Sequence, residues 1–133
     1  MALSAAAGTF QTGIGVTQIN VVTSPAFLPK VVLLSATKAT VLDATQQGMS
    51  WGFGAFSGAT ARAAIAAQYY DGATPTNADS LLHTAACLAL IQNDSALDGL
   101  LDGVSLNADG FSVVPDDAFT QSSQVAYLAL GGA

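Results

Sequence analysis

The sequence predicts an all-β domain with the strand rhythm of a sandwich or a barrel. Clusters of Gly, Thr, Ser, Asn and Asp divide the chain into short segments, with a turn about every 8 to 12 residues. Several segments alternate apolar and polar residues with the period of two that a half-buried strand requires. All nine acidic residues are Asp, which favours turns and caps, and the chain has no Glu to favour helices.

The first candidate strands are residues 8–12, 16–22 and 30–36. The second of them, VTQINVV, alternates polar and apolar side chains, as a strand with one buried face does. Proline at both ends of the intervening segment 24–29 interrupts any strand ladder there. The segment 30–36, KVVLLSA, is apolar on both faces, which is typical of a central strand.

A further strand is predicted at residues 49–58, MSWGFGAFSG. Trp51 and Phe53 alternate with Gly52 and Gly54, so one face is bulky and the other is nearly bare. We expect the bulky face to enter the core. A bare glycine face lets another backbone or another subunit approach closely, and both glycines are therefore predicted contact residues.

Two segments, 59–70 and 79–92, favour helix by periodicity alone. Both are rich in Ala, the second also in Leu, and Asp79 stands at an N-cap position ahead of apolar residues at helical spacing. Composition by itself leaves helix and strand open at this point.

The clearest element is a β-hairpin at residues 103–114, GVSLNADGFSVV. Alternating apolar residues flank the turn sequence Asn107-Ala108-Asp109-Gly110 on both sides. Gly110 supplies the conformational freedom that a tight hairpin needs. The segment 124–132, QVAYLALGG, predicts the last strand.

Length and composition indicate one domain, residues 1–133, that works in contact with other protein. Residues 1–9 are expected to form an N-terminal arm. The chain is 51% hydrophobic but only 9% charged, against about 25% in an average domain. Because soluble monomers usually carry mixed surface charge, a homo-oligomer or a larger assembly is predicted.

Charge and hydropathy exclude two classes of partner. A net charge of −6, with Lys30, Lys38 and Arg62 as the only cations, cannot supply the phosphate contacts of nucleic-acid binding. The N-terminus lacks the pattern of a secretory signal, and no apolar run approaches the roughly 20 residues that cross a bilayer. The protein is expected to be made and folded in a cytoplasm without membrane contact.

No cluster of side chains predicts a catalytic, metal or cofactor site. His83 and Cys87 lie four residues apart, but no other His and no Glu is present to orient the histidine, so a buried structural cysteine is favoured. Asp94, Asp98 and Asp102 recur every four residues, but they do not match the calcium-loop pattern. They are interpreted as turn residues.

Arg62 is the only arginine. In a chain with so few charges we expect it to anchor a loop or a subunit contact, paired with a turn aspartate such as Asp71 or Asp109. Binding of a carboxylate or sugar ligand is the alternative role.

Six segments, taken in order, resemble a family of small β-domains found in bacteriophage structural proteins. These segments are FLPKVVLL, SWGFGAFSGATARAA, YYDG, CLALIQ, GVSLNADGFSV and YLALGG, and the likeness spans residues 8–132. NADGF and YLALGG are its most specific parts. Leu106-Asn107 stands where the family has Phe-Asp, and the second arginine cluster of the family is missing, which puts in doubt the contacts that those arginines make.

The resemblance implies an antiparallel β-sandwich of the jelly-roll kind with about eight strands. It also implies strands at 61–69 and 85–92, where periodicity favours helix. The expected core residues are the large side chains Leu33, Trp51, Phe53, Leu88, Leu90, Phe111 and Tyr127.

The family occurs both as repeats in tail fibres and as a free-standing module, and the second form is expected here. The resemblance therefore implies a virion structural protein that decorates the capsid as a cement protein, bound to the outer head surface. Its partners would be the major capsid protein and copies of itself, with a homotrimer expected. The predicted contact residues are Met1, Ala2, Leu3, Ser4, Gly52, Gly54 and Arg62.

The alternative is a tail or tail-fibre module that binds a glycan or a receptor on the host surface. Loops 71–79 and 115–123 would then meet the sugar. Tyr69, Tyr70 and Phe119 are the aromatic residues near these loops, and exposed rings there would favour this function.

Overall fold

The chain folds into ten β-strands in two antiparallel sheets, as a computed structural model shows. The structure describes residues 2–46, 49–70, 77–92 and 96–132. The predicted antiparallel β-sandwich is confirmed, with ten strands in place of about eight. None of the described residues belongs to a helix that could cross a membrane.

Six strands form the larger sheet and four form the smaller one. In chain order the strands are β1 (Leu3–Gln11), β2 (Ile19–Val22), β3 (Pro29–Thr37), β4 (Met49–Phe56), β5 (Arg62–Tyr70), β6 (Asn77–His83), β7 (Leu88–Ile91), β8 (Leu97–Asn107), β9 (Gly110–Asp117) and β10 (Gln124–Gly132). The larger sheet has the order β1-β10-β3-β4-β5-β6, and the smaller sheet has the order β2-β9-β8-β7.

The predicted N-terminal arm is an edge strand from Leu3 onward. β1 pairs with β10 without interruption, from Leu3 opposite Gly132 to Gln11 opposite Gln124. The ladder fixes these residues to the larger sheet, so they do not form a separate arm. Met1 lies outside the described residues.

Neither Ala-rich segment is helical, as the resemblance implies and as periodicity alone does not. The first is strand β5, whereas the second contains most of β6 and then β7, which is shorter than the implied strand at 85–92. In β5, the buried Ala64, Ala66 and Gln68 alternate with more exposed residues, which is the period of a strand. Ala64 and Ala66 pack in one small core cluster with Ala89 of β7. The close approach of the two sheets, and not helix formation, explains the alanines.

The main core lies between the two sheets and centres on Phe111 of β9. The Phe111 ring makes edge contacts with Phe10, Phe56 and Tyr127, at centroid distances of 6.0, 5.9 and 5.2 Å. Four of the predicted core residues are buried here: Leu88, Leu90, Phe111 and Tyr127.

The predicted hairpin is confirmed as the turn between β8 and β9. Asn107 pairs with Gly110 across the turn, and β2 passes directly over it. A Cβ atom on Gly110 would lie 1.9 Å from the carbonyl oxygen of Val21 in β2. Position 110 therefore requires glycine, because any side chain there would collide with the backbone of β2.

The glycines of β4 face the interior of the sandwich. A Cβ atom on Gly52 would lie 2.2 Å from the carbonyl oxygen of Ala89, and one on Gly54 would lie 2.0 Å from that of Cys87. The prediction that this bare face admits another backbone holds, but that backbone is the segment 87–89 at β7 of the same chain. Neither glycine is available to a second subunit.

The large residues of β4 consequently face outward. Trp51 is 40% exposed and Phe53 is 39% exposed, while Leu33 of the neighbouring strand β3 is half-buried. The prediction that these three residues form part of the core is wrong. Side chains alternate between the faces of a strand, so burial of the glycines places both aromatic rings on the surface.

Candidate functional site

The outer face of the larger sheet is the strongest candidate for a functional surface. It is formed by the side chains that point away from the smaller sheet, and we refer to it as the apolar face. Its large members are Leu3, Val31, Leu33, Trp51, Phe53, Ile65, Tyr69, Leu82, Leu128 and Leu130. Small residues, mainly Ala with some Ser and Thr, lie between them.

The strand register joins these residues into rows. One row crosses all six strands and consists of Thr9, Ala126, Ser35, Phe53, Ile65 and Leu82. The next row consists of Ala7, Leu128, Leu33, Ala55 and Ala63. Directly opposed residues of antiparallel strands share a face, so the rows make one continuous surface.

Large side chains of the apolar face are open to solvent in the single chain. Ile65 is 41% exposed, Leu82 is 68% exposed and Leu128 is 38% exposed. Isolated exposed apolar residues are ordinary, but a contiguous patch larger than a few hundred Å² marks a site of interaction. The apolar face is a patch of this kind.

Charged side chains are missing from the described part of the apolar face. Two charged residues lie beside it among the described residues: Lys30, at the β-bulge next to Val31, and Asp43, which lines a groove together with Ser35 and Thr37 of this face. Asp109, in the turn before β9, and Asp116, near the end of β9, are exposed on the smaller sheet. Contact with the strands of the apolar face would therefore bury mostly apolar surface, with few charges to desolvate.

The outer face of the smaller sheet has the opposite character. The hydroxyl of Ser112 donates a hydrogen bond to Oδ1 of Asn20 at 2.7 Å and accepts one from Nδ2 of Asn107 at 2.8 Å. The hydroxyl of Ser105 donates to Oδ1 of Asn107 at 2.8 Å. Ser112 is buried, and its polar neighbours satisfy its hydroxyl on the outer side of β9. The described strands of the larger sheet present no such hydrogen-bonded side-chain network on their outer face, which distinguishes the apolar face.

Arg62 links the two sheets. Its Nη2 lies 3.2 Å from Oδ2 of Asp102, and its Nη1 donates to the carbonyl oxygen of Gly103 at 3.3 Å. The predicted partner was a turn aspartate, but Arg62 pairs with Asp102 in strand β8 and not with Asp109, while Asp71 lies outside the described residues. Arg62 therefore joins two strands in place of the predicted loop. Burial raises the pKa of Asp102, and the Arg62 charge works against that shift.

Cys87 has none of the features of an activated thiol. It is completely buried, and burial, with a contribution from the Asp102 charge, raises the pKa of its thiol to about 12. Nucleophilic cysteines need the opposite shift. Nδ1 of His83, the proposed base, accepts a hydrogen bond from the backbone N–H of Ala85 at 3.3 Å.

We expect Cys87 to resist thiol reagents in the folded protein. At pH 8 the raised pKa keeps the thiol protonated, and the side chain is completely buried, so the reagent meets neither an ionised nor an exposed sulfur. The native protein should show no reaction with Ellman's reagent over an hour, whereas the protein in guanidinium chloride should release one equivalent of thionitrobenzoate. Rapid reaction of the native protein would contradict the burial of this side chain.

The aspartates predicted as turn residues serve a different purpose. Asp98 and Asp102 both lie in β8, each in its own ion pair, and Asp94 lies outside the described residues. Oδ1 of Asp98 is 3.6 Å from Nζ of Lys38 and accepts a hydrogen bond from the hydroxyl of Thr120. Among the described residues, no group of three or more His, Cys, Asp or Glu side chains could hold a metal ion.

The predicted N-terminal contact residues fall in different places. Leu3 is 77% exposed on the apolar face, and Ala2 precedes it in an exposed position. Ser4 is partly buried, on the opposite side of β1. With the glycines of β4 buried and Arg62 occupied by Asp102, Leu3 is the predicted contact that belongs to this surface.

The aromatic residues proposed to stack on a sugar are not grouped together. Phe119 is 2% exposed and belongs to the main core. Tyr69 is 44% exposed, but it lies on the apolar face. The side chain of Tyr70 and residues 71–76 lie outside the described part of the chain.

Ile65, Leu82 and Leu128 are missing from the sequence-based list of contact residues. The sequence signal for them is that β5, β6 and β10 carry apolar residues on both faces. Alternation with a period of two shows that such a strand has two faces, but it does not show which of them points outward.

A scan against models of protein families, a search of curated proteins and a search of solved structures each find no match to this chain.

Proposed function

We propose that this chain is a non-catalytic structural subunit of a bacteriophage virion and decorates the capsid as a cement protein. The observation that carries the proposal is the apolar face, whose described strands carry no charged side chain and leave Phe53, Ile65 and Leu82 exposed next to one another. Such a face is suited to a protein that spends its working life inside an assembly. The phage context comes from the family resemblance of the segments from FLPKVVLL to YLALGG.

The proposed mechanism is additive. Each copy would contribute a modest contact with neighbouring major capsid subunits, and the symmetry of the shell would repeat that contact over many sites. Contacts made by small and apolar residues avoid the cost of burying unpaired charges. The rigid sandwich, with its two sheets joined by the Arg62–Asp102 pair, would hold each contact in a fixed geometry.

The test is immunogold electron microscopy of purified virions of the phage that encodes this chain. Gold particles spread over the head are the expected result. Label confined to the tail or its tip would replace decoration by the tail-module function, and glycan binding would then be the next measurement. Virions that contain the chain in neither place would overturn the proposal.

A further inference from the structure

We propose that the apolar face is the interface of a homodimer in which two larger sheets pack face to face. The two-fold axis would run parallel to the strands, midway between β3 and β4, the two central strands of the sheet. The inference deepens the proposed function by naming the first partner as a second copy of this chain. The dimer itself does not depend on the proposed function. Only the particle to which the dimer would bind, the virion, rests on that proposal.

The area of the face matches what a stable dimer needs. Six strands spaced about 4.8 Å apart give a width of roughly 29 Å. Each strand carries about four outward residues, and at about 6.8 Å per outward residue this gives a mean length of roughly 27 Å. The face thus covers on the order of 800 Å², and a standard interface buries about 800 Å² on each partner.

The face is complementary in shape to itself. Residues of β3 and β4 lie opposite one another in the sheet, with Leu33 beside Ala55, Ser35 beside Phe53 and Thr37 beside Trp51. The proposed axis exchanges these two strands between copies. Phe53 of one copy then lies over Ser35 of the second and Trp51 over Thr37, two residues that line a groove together with Ala39 and residues 41–45, and Leu33 lies over Ala55.

In each of these three pairs a large side chain meets a small one, and the same match is made twice because the interface is isologous. The pairs lie next to the axis, where the roughly 30° angle between packed sheets displaces them least. Sheets packed in this way interdigitate their side chains at about 10 Å separation.

The distribution of charge also fits a second copy of the same chain. Copies with a net charge of −6 repel each other unless their acids stay apart. Asp43, which lines a groove with Ser35 and Thr37, is the acidic residue beside the described part of the apolar face, and Asp98 and Asp102 are already paired with Lys38 and Arg62. A partner of opposite charge would find one carboxylate there, at the groove, and none on the strands of the face.

The test measures the mass of the full chain by sedimentation velocity and light scattering, from about 1 to 100 µM. We expect a species of twice the 13.3 kDa chain mass. Trp51 is the only tryptophan and lies at the centre of the proposed interface, so dilution should shift its emission to the red as dimers dissociate. A monomer at every concentration, with no emission shift, would overturn the proposal and leave a different protein as the occupant.

A matched pair of substitutions locates the interface. Ile65→Lys places a charge on the apolar face, and we expect it to weaken dimerisation at least a hundredfold. Ile14→Lys makes the same change at a loop residue that is 70% exposed and off the face, and it should leave dimerisation unchanged. Leu128→Lys, on another strand, repeats the test should Ile65→Lys fail to fold.

A dimer that survives both Ile65→Lys and Leu128→Lys would place the interface elsewhere and contradict the proposal. These measurements use the isolated chain, so they are independent of the virion labelling. A monomer whose label decorates the head would leave the proposed function intact with the apolar face against the shell. A dimer with no label on virions would leave the dimer intact and remove the proposed function.

Discussion

Gly54→Ala should destabilise the protein by about 3 kcal/mol or more, a large effect for the addition of one methyl group. The new Cβ atom would lie 2.0 Å from the carbonyl oxygen of Cys87 and 2.8 Å from that of Ala63. Both neighbours are backbone oxygens, one in β5 and the other in the residue directly before β7. Neither can move aside as a flexible side chain would. The two sheets would have to separate where β4 meets the segment leading into β7.

The measurement is the free energy of unfolding from chemical denaturation followed by circular dichroism at one protein concentration. Gly58→Ala is the matched control, because a Cβ atom there meets nothing within 4 Å. We expect the control to change stability by no more than about 0.5 kcal/mol. Equal stabilities of the two variants would show that the sheets do not approach closely at Gly54.

The orientation of β4 illustrates what the sequence could predict and what it could not. The alternation of Trp51 and Phe53 with two glycines is visible in the sequence, and it correctly predicts a strand. Which face is buried depends on the opposite sheet. Hydrophobicity favours the aromatic side, but the close approach of Cys87 and the strand that follows it permits only glycine on the inner side.

The alanines of β5 were ambiguous for a related reason. Ala has high helix propensity, and a run of Ala therefore favours helix when considered alone. In the sandwich the same small side chain is selected because Ala64 and Ala66 face the thin second core cluster. Tertiary packing overrides the local preference here, and that packing involves β7, more than twenty residues later in the sequence.

The candidate site was the least predictable part. The low charge content predicts a surface suited to protein contact, since a 9% charged chain has few charges to distribute. It does not locate that surface, because the apolar face combines residues from six strands whose order is not the order of the chain. The ion-pair partner of Arg62 was missed for the same reason: Asp102 is forty residues away in the sequence.

Lys38→Met should lower the free energy of unfolding by about 3 kcal/mol, because it leaves a buried carboxylate without its cation. The side chain of Asp98 is fully buried, and Nζ of Lys38 lies 3.6 Å from its Oδ1. Oδ2 of Asp98 has no hydrogen-bond partner among the described residues, and Oδ1 accepts a hydrogen bond from the hydroxyl of Thr120. Methionine keeps most of the apolar stem of lysine and removes the charge alone.

The double variant Lys38→Met, Asp98→Asn separates charge from packing. An asparagine oxygen can still accept the hydrogen bond of Thr120, and no unpaired charge remains, so most of the lost stability should return. Lys30→Met is the matched control at an exposed lysine and should shift stability by no more than about 0.5 kcal/mol. If the double variant is as unstable as Lys38→Met, then lost packing of the lysine stem, and not the unpaired carboxylate, accounts for the effect. If Lys38→Met matches the control, the pair contributes little, and the sandwich is held together at this end by apolar packing alone.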